Sequence, residues 1–507
     1  MSNTATITVE EHETRVAEHL DRIEYLEFQN EKLKHMLWGR RSEKQVIPPG
    51  APFQSMLFTE AVVEVEDPEA EEQPADEKKK KKKKRRKSKP IVPDDAPREV
   101  VDHELPEEEQ VCGCCGKQLR DIGYESSLRL QFIPAHYVAI EDRRHKYACS
   151  CKGAGVRSVP PAPNAFPKSR ITEETRAHVV VQKFVDHLPY YRQSTILRRM
   201  GIEISDRTLC HYGIESADRL APIIVAMRDE LLASSCLQAD ETTIPVLKTE
   251  KAKPGAHRGY LWAYAQPRGT IVYDYCRGRG ADHPRGFLDG YSGILQTDRY
   301  EGYRSLWRQE SIVDVACWAH ARRRFADAMK TARRRTEPII LLIRKLYSAE
   351  KRAREGQLAP ADRARLRVER SRPILDAIKG HLDGLVISER PTTPLGEAVA
   401  YSLNHWPALK RYVEHGEAEI DNNLLENSMR PVALGRKNYL FAGSEIGAEA
   451  AAILYSLTET CRRLRIHPNA YLVDVFKRLA TIDCTDGDAI RALTPARWKA
   501  ESESTLG

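Results

Sequence analysis

Two short apolar runs each end on an aspartate, and they restrict this chain to folds that contain a buried sheet. The first run is Cys236-Leu-Gln-Ala-Asp240 and the second is Gly293-Ile-Leu-Gln-Thr-Asp298. Short apolar runs of this kind predict strands, near 236–240 and 293–298. Other strands are expected near 259–265, 270–276 and 311–317, and helices near 281–289, 300–308 and 318–330.

This order of strands and helices is that of a ribonuclease H-like fold. In that fold the first and fourth strands are neighbours, so Asp240 and Asp298 would lie side by side although 58 positions (298 minus 240) separate them. A third acid, Glu426, follows the polar turn Asp421-Asn-Asn and opens a helical pattern that can lay it across the edge of the sheet. Three converging carboxylates predict a site for divalent metals.

Such a site suits the cutting of a phosphodiester bond, which needs one ion at the attacking oxygen and another at the leaving oxygen. Oxygen ligands favour Mg²⁺ or Mn²⁺, with Asp240 bridging the two ions and Asp298 and Glu426 each holding one. Most single acids only solvate a surface. Two neighbours compete for the metal positions: Glu241 should point to the opposite side of its strand, and Asp421 is better placed to cap or turn the chain.

Several longer motifs accompany the acids. They are Leu33-Lys-His-Met-Leu-Trp-Gly-Arg-Arg-Ser-Glu-Lys44, Cys317-Trp-Ala-His320-Ala-Arg-Arg-Arg-Phe325, and Arg436-Lys-Asn-Tyr-Leu-Phe-Ala-Gly-Ser444. With them the chain resembles DDE-type transposases of the insertion sequence 66 family over nearly its whole length. The resemblance implies DNA strand cleavage and strand transfer at element ends by Asp240, Asp298 and Glu426. It also implies a zinc-binding module and small accessory proteins of the same element.

One position departs from the family pattern, in which an arginine usually follows the third acid. Here position 427 is Asn, while Arg430 remains nearby. The departure puts DNA contact near the metals in question and leaves a second function class open. That alternative is a catalytically inactive, zinc-containing DNA-binding or regulatory protein derived from a transposase.

The cysteines cluster in two short groups rather than in the pattern of a secreted disulfide framework. The groups are Cys112-Gly-Cys114-Cys115 and Cys149-Ser-Cys151. Four thiolates suit a closed, structural Zn²⁺ site, for which Cys112, Cys115, Cys149 and Cys151 are favoured. Cys114 could replace one of them, and buried reduced thiols are the alternative reading.

Cys317 and His320 form a separate Cys-x-x-His pair beside the fifth expected strand. His320 could be a zinc ligand or a hydrogen-bonding group behind the catalytic metals. A single pair without a second pair favours structural support.

Apolar residues recur in heptads over 9–43, with Asn30 in the seam. This pattern predicts a coiled coil and a homo-oligomer; the alternative is a single amphipathic helix packed on its own body. An acidic and then basic segment, 44–98, reads as a disordered linker whose lysines could neutralise phosphates. Its acidic half could equally fold back on the basic half.

Residues 172 to 217 predict three helices with helix-turn-helix spacing, beginning at Thr172, Tyr191 and Ser205. The third helix would enter a major groove of the terminal repeats, with Arg207, Thr208 and His211 on it. A plain helical hairpin is the alternative. Flanking DNA is expected near three basic residues that follow the third acid in the sequence: Arg430, Arg436 and Lys437.

With 507 residues the chain predicts several domains, and no apolar run approaches the roughly 18 residues of a membrane span. A cytoplasmic protein with DNA as partner is expected. The fold class is therefore multidomain α/β. Its expected parts are the coiled coil 9–43, the linker 44–98, a zinc-binding module 99–160, a helical DNA-binding region 165–232, the ribonuclease H-like core 233–330, a helical insertion 331–400, the second core part 401–445 and a C-terminal helical region 446–507.

Overall fold

The computed structural model of this protein describes residues 136–148, 156–158, 160–167, 169–247 and 256–506. The expected coiled coil, the charged linker and the four favoured zinc ligands lie outside these described residues. Two three-residue strands form a small antiparallel hairpin ahead of the main fold. They are β1 (Lys146–Ala148) and β2 (Val156–Ser158).

A mixed sheet of five strands carries the rest of the described chain. Its order is β5-β4-β3-β6-β7, in which β3, β4 and β5 are antiparallel to one another in turn, whereas β3, β6 and β7 run parallel. The first and fourth strands of this sheet are therefore hydrogen-bonded neighbours, as the sequence predicts. The strands are β3 (Cys236–Leu247), β4 (Ala256–Ala265), β5 (Ile271–Cys276), β6 (Gly293–Thr297) and β7 (Ile312–Ala316).

The prediction that the first strand ends at Asp240 is wrong, because β3 continues to Leu247. Its second half pairs with β4 as far as Leu247 opposite Ala256, whereas its pairing with β6 stops after Gln238. The β-branched residues beyond Asp240 favour this extension. Asp240 thus lies where β3 loses its parallel neighbour, not at the end of the strand.

Three helices precede the sheet, and their starts agree with the sequence prediction. The hydroxyl of Thr172 accepts from the Thr175 amide at 3.4 Å, and the Ser205 hydroxyl accepts from the Thr208 amide at 3.1 Å. Both are N-cap bonds that satisfy amides without an intrahelical partner. The helices are α1 (Glu173–Phe184), α2 (Tyr190–Arg199) and α3 (Asp206–Leu232).

Helices also separate and follow the later strands. A 3₁₀ turn, Glu301–Tyr303, leads into the short α5. The remaining helices are α4 (Asp282–Phe287), α5 (Arg304–Trp307), α6 (Trp318–Glu355), α7 (Pro360–Ser388), α8 (Pro394–Asn404), α9 (Trp406–Arg411), α10 (Asn423–Tyr439), α11 (Glu445–Leu464), α12 (Pro468–Leu479), α13 (Gly487–Ala492) and α14 (Pro495–Leu506).

The helix expected over 318–330 does not end there but runs on as α6 to Glu355. It is interrupted at Ala332, whose φ of −141° and ψ of 46° are not helical. The expected start of the helical insertion, at 331, coincides with this kink.

The sheet is covered on both faces by apolar packing. Leu237 and Ala239 of β3 belong to a core shared with α3, α11 and α12, whereas Cys236 belongs to a second core shared with α6 to α9. Because side chains alternate along a strand, Gln238 and Asp240 face the second core. None of the helices in the described part of the chain is long and apolar enough to cross a membrane.

Candidate active site

Asp240 and Asp298 come from neighbouring parallel strands. β3 and β6 pair with Gln238 opposite Gln296, and Asp240 and Asp298 each follow two residues after these paired residues. Adjacent strands lie about 4.8 Å apart. The two acids therefore leave the paired part of neighbouring strands at the same level, and the Asp298 carboxylate lies close enough to raise the pKa of Asp240.

Two buried glutamines lie beneath these acids on the same face. Gln238 Nε2 donates to Gln296 Oε1 at 2.8 Å and to the Asp421 carbonyl at 3.0 Å. Gln296 Nε2 donates to the Glu419 carbonyl at 2.7 Å. The pair therefore attaches the chain segment that precedes α10 to the two strands that carry the acids.

Further bonds fix the same segment as it approaches the site. The Trp318 amide donates to the Ile420 carbonyl at 3.1 Å, and the Asn422 amide donates to Cys317 Sγ at 3.2 Å. Asn422 Nδ2 also donates to the Ala239 carbonyl at 3.4 Å. These contacts start α10 beside Asp240, and Glu426 follows in its first turn.

The far end of α10 returns to the same strand. Arg436 donates through Nη1 to the Thr243 carbonyl and, at 2.7 Å, to the Thr243 hydroxyl. Beyond the helix, Leu440 adopts a φ of 68°, and the Ala442 amide then donates to the Pro245 carbonyl at 2.8 Å. α10 is thus bonded to β3 before its first residue, near its last turn and after its end.

α11 supports the first turn of α10 from behind. Arg463 Nη1 donates to Ser428 Oγ at 2.9 Å, and the hydroxyl of Tyr273 donates to the Ser428 carbonyl at 2.5 Å. Burial lowers the pKa of Arg463 to about 10, with Tyr273 acting in the opposite sense. The guanidinium is still charged at neutral pH, so these bonds persist there.

The electrostatics of Asp240 show how closely the acids converge. Burial raises the pKa of Asp240 well above its ordinary value, and the carboxylates of Asp298, Glu241 and Glu426 raise it further. The Glu241 amide, which donates to Asp240 Oδ1 at 2.8 Å, opposes the shift. A buried carboxylate whose neighbours are carboxylates is stabilised as an anion by a bound cation. The residues present therefore fit divalent ions.

His320 and Cys317 border this cluster next to Glu426. His320 Nδ1 lies 3.9 Å from Glu426 Oε1, and Cys317 Sγ is within 4.8 Å of donor atoms of both residues. Burial lowers the pKa of His320, against the carboxylates of Glu426 and Asp298, which raise it. Burial raises the pKa of the Cys317 thiol. At neutral pH the imidazole is uncharged and the thiol keeps its proton.

The two competing acids have other partners. Glu241 forms an ion pair with Arg279, whose Nε lies 2.6 Å from Glu241 Oε1. Asp421 accepts from the Tyr347 hydroxyl at 2.8 Å and from the Asn423 amide at 3.0 Å, as a residue that turns the chain into a helix would. The Glu241 carboxylate thus has a cationic partner, and Asp421 turns the chain into α10.

The residues predicted to contact DNA lie on two helices. Arg430, Arg436 and Lys437 share α10 with Glu426, and the Arg436 side chain is engaged with β3 as described above. On α3, Arg207 is exposed, whereas the hydroxyl of Thr208 lies 2.8 Å from that of Ser205 in the cap.

His211, also exposed on α3, lies 3.3 Å from Glu215. The three α3 residues therefore belong to a different element from those that carry the acids.

Sequence reasoning missed the residues that assemble the site. Gln238 and Gln296 each precede an aspartate by two positions inside an apolar strand, and this repeated Gln-x-Asp pattern is the signal that could have found them. Arg463 left no comparable signal, because its partners lie far away in the sequence.

Models of known protein families match three parts of the chain. The family model described as "Transposase IS66 family" matches residues 168–450, which include all three acids. Two further models match the N-terminal part: "zinc-finger binding domain of transposase IS66" at residues 109–152 and "Transposase C of IS166 homeodomain" at residues 25–101. The chain therefore belongs to the IS66 transposase family and carries that family's zinc-binding domain.

Curated relatives come from Sinorhizobium fredii (strain NBRC 101917 / NGR234). "Uncharacterized protein y4hP" is 31% identical over 512 residues, which cover 95% of this chain and 90% of the relative. "Uncharacterized protein y4jD" is 32% identical over 412 residues, which cover 78% of this chain and 79% of the relative.

Proposed function

We propose that this protein is a metal-dependent transposase that cuts DNA at the ends of a bacterial insertion sequence and joins the freed ends to target DNA. The observation that carries the proposal is that the Asp298 and Glu426 carboxylates lie close enough to Asp240 to raise its pKa, together with burial. Membership of the IS66 transposase family supports it.

The strand order adds support for a ribonuclease H-like core. The sheet order β5-β4-β3-β6-β7 sets the first strand beside the fourth, which is the adjacency expected of such a core. It brings acids from the first and fourth strands together, and α10 then adds the third.

In this mechanism Asp240 would hold both Mg²⁺ or Mn²⁺ ions, while Asp298 and Glu426 would each hold one. When bound, the ions supply activation of the attacking oxygen and stabilisation of the leaving oxygen. The side chains of the three acids have to remain fixed while DNA enters. The bond between Gln238 and Gln296 and the bond from Asn422 to Ala239 fix the backbone that carries these acids.

The proposal extends to the partners. DNA would be bound as terminal repeats and as target, through the zinc-binding domain and through Arg207, Thr208, His211, Arg430 and Lys437. Self-association through 9–43, small accessory proteins of the same element, and Cys112, Cys115, Cys149 and Cys151 as the Zn²⁺ ligands remain parts of the proposal.

The test is cleavage and joining of labelled element-end DNA with Mg²⁺ and any accessory proteins. Asp240→Asn, Asp298→Asn and Glu426→Gln should each lower both reactions on the order of a thousandfold or more while DNA binding persists. Asp289→Asn, an exposed aspartate outside the site, is the matched control and should react like the wild type.

A wild-type protein that binds DNA but never cuts it, under conditions where an active relative does, would overturn the proposal. The inactive DNA-binding reading would then hold, and Asn427→Arg would be the first reversion to make.

A further inference from the structure

Two buried polar atoms face each other at the edge of the acidic cluster. His320 Nδ1 and Glu426 Oε1 are both shielded from solvent, and neither has a hydrogen-bond partner among the described residues. They lie 3.9 Å apart, too far for a direct hydrogen bond. Buried polar atoms are almost always satisfied, so such a pair indicates a missing third component between them.

The separation of these atoms suits a shared metal ion. Metal-to-nitrogen and metal-to-oxygen bonds of about 2.1 Å allow two ligands of one ion to lie at most about 4.2 Å apart. A water molecule could also bridge the pair, but it would not require an imidazole at this position.

Cys317 has a different part in this arrangement. Its sulfur accepts the Asn422 amide at 3.2 Å, and Asn422 is also bonded to the Ala239 carbonyl. The thiol therefore aligns the chain ahead of Glu426. It lies beside the proposed ion as a positioning group, whereas His320 and Glu426 supply the ligand atoms.

We infer that His320 is a ligand of the ion that Glu426 holds, and that this position favours a divalent transition metal over Mg²⁺. The inference rests on the proposed function, because that function makes Glu426 a metal ligand. Carboxylate oxygens suit both Mg²⁺ and Mn²⁺, whereas an imidazole nitrogen suits transition metals, so Mn²⁺ serves as a paramagnetic probe of this position. One of the two ion positions thus differs chemically from the other.

The experiment is pulsed electron paramagnetic resonance of Mn²⁺ bound to the full chain, with the zinc-binding domain saturated with Zn²⁺, which gives no signal. The wild type should show ¹⁴N modulation from a coordinated imidazole. His320→Gln should lose the modulation and bind Mn²⁺ at least about tenfold more weakly, with Mg²⁺ affinity changed less than about twofold. His381→Gln, an exposed histidine on α7, is the matched control and should keep the modulation.

A second variant protects the test against misfolding of the first. Glu426→Gln removes the other ligand and should also abolish the His320 contribution. Absence of ¹⁴N modulation in the wild type, or its persistence in His320→Gln, would overturn the inference.

DNA cleavage measured on the same samples separates the two proposals. If the modulation depends on His320 but the protein never cuts DNA, the ligand assignment is supported and the proposed transposase activity is wrong. If the protein cuts DNA without such modulation, the transposase activity is supported and the ligand assignment is wrong.

Discussion

Two acidic clusters lie at opposite ends of the segment that runs from Glu419 to Glu426, and they are built differently. At one end the buried Glu419 and Glu350 are paired with two arginines: Arg363 Nη2 lies 2.6 Å from Glu419 and 2.7 Å from Glu350, and Arg367 Nε lies 2.7 Å from Glu350. At the other end Glu426, whose Oε2 lies 3.9 Å from Arg323 Nη2, acts together with Asp298 on the pKa of Asp240.

The pKa values follow this difference. Burial opposes ionisation of Glu350, but Arg367 and Arg363 outweigh it, and its pKa is lowered. For Asp240, burial and the neighbouring acids act together and raise the pKa. A buried carboxylate paired with arginines has its charge compensated in the folded protein, whereas a desolvated carboxylate among carboxylates is costly until a cation binds. The comparison separates acids paired with arginines from acids that face other acids within eight residues of chain.

The largest effect on this comparison is expected when the ion pairs of the Glu350 and Glu419 cluster are broken. Arg367→Met would leave Glu350 half-paired and would free the carbonyls of Tyr412, His415 and Ala418, to which Arg367 donates. Breaking a buried ion pair from one side costs about 3–5 kcal/mol, so the free energy of unfolding should fall by that amount in a denaturant titration.

Arg365→Met is the matched control on the same helix. Its side chain is 81% exposed and pairs with Asp362 across a surface turn, so its loss should cost less than about 0.5 kcal/mol. Equal losses for the two variants would show that the arginine cluster is no more structural than a surface pair.

A smaller effect is expected where the two clusters join. Gln296→Leu would remove the bonds to Gln238 and to the Glu419 carbonyl, and it would leave those buried groups unpaired. The cost should be about 1–3 kcal/mol, and DNA cleavage should fall while DNA binding remains. Gln309→Leu changes an exposed glutamine and should alter neither quantity. A Gln296→Leu protein with wild-type stability and cleavage would contradict a positioning role.

The smallest effect concerns the metal-free acidic cluster. Because the pKa of Asp240 is higher in the folded protein, the folded state binds an extra proton between the unfolded and folded pKa values, and stability is lost as pH rises through that window. Asp240→Asn should therefore raise Tm on the order of 2 °C at neutral pH and have no effect near pH 4.

Mn²⁺ should make the Tm of the wild type higher than that of Asp240→Asn, because the ion stabilises only the wild type. The stability contribution of Glu350 depends on pH in the opposite way, since it is lost as pH falls. A destabilised Asp240→Asn at neutral pH, without metal, would show that the acids do not repel one another.

The sequence predicted the local parts of this architecture well. The strands β5, β6 and β7 lie within one residue of their expected bounds, and the caps at Thr172 and Ser205 are where their patterns place them. Period-two patterns and capping side chains act over a few residues, so they can be found without knowing the fold.

The long-range parts could not be predicted in the same way. The β-branched residues beyond Asp240 favour a strand, but the extension to Leu247 depends on pairing with β4, whose place beside β3 the local pattern does not give. The bond from Arg436 to Thr243 joins residues 193 positions apart, and the local pattern predicts only a contact with DNA for this arginine. The kink at residue 332 could not be predicted either, because the residue there is alanine and not glycine or proline.

The attachment of α10 to β3 at both ends has a mechanical consequence. From Ala239 to Val246 the strand rises about 23 Å, and the 17 residues of α10 extend about 25 Å, so strand and helix have nearly equal lengths. Bonds at Ala239, at Thr243 and at Pro245 close them into a stiff frame. Asp240 lies on the strand of this frame and Glu426 lies on its helix. The distance between the two acids should therefore stay constant when DNA shifts the surrounding helices.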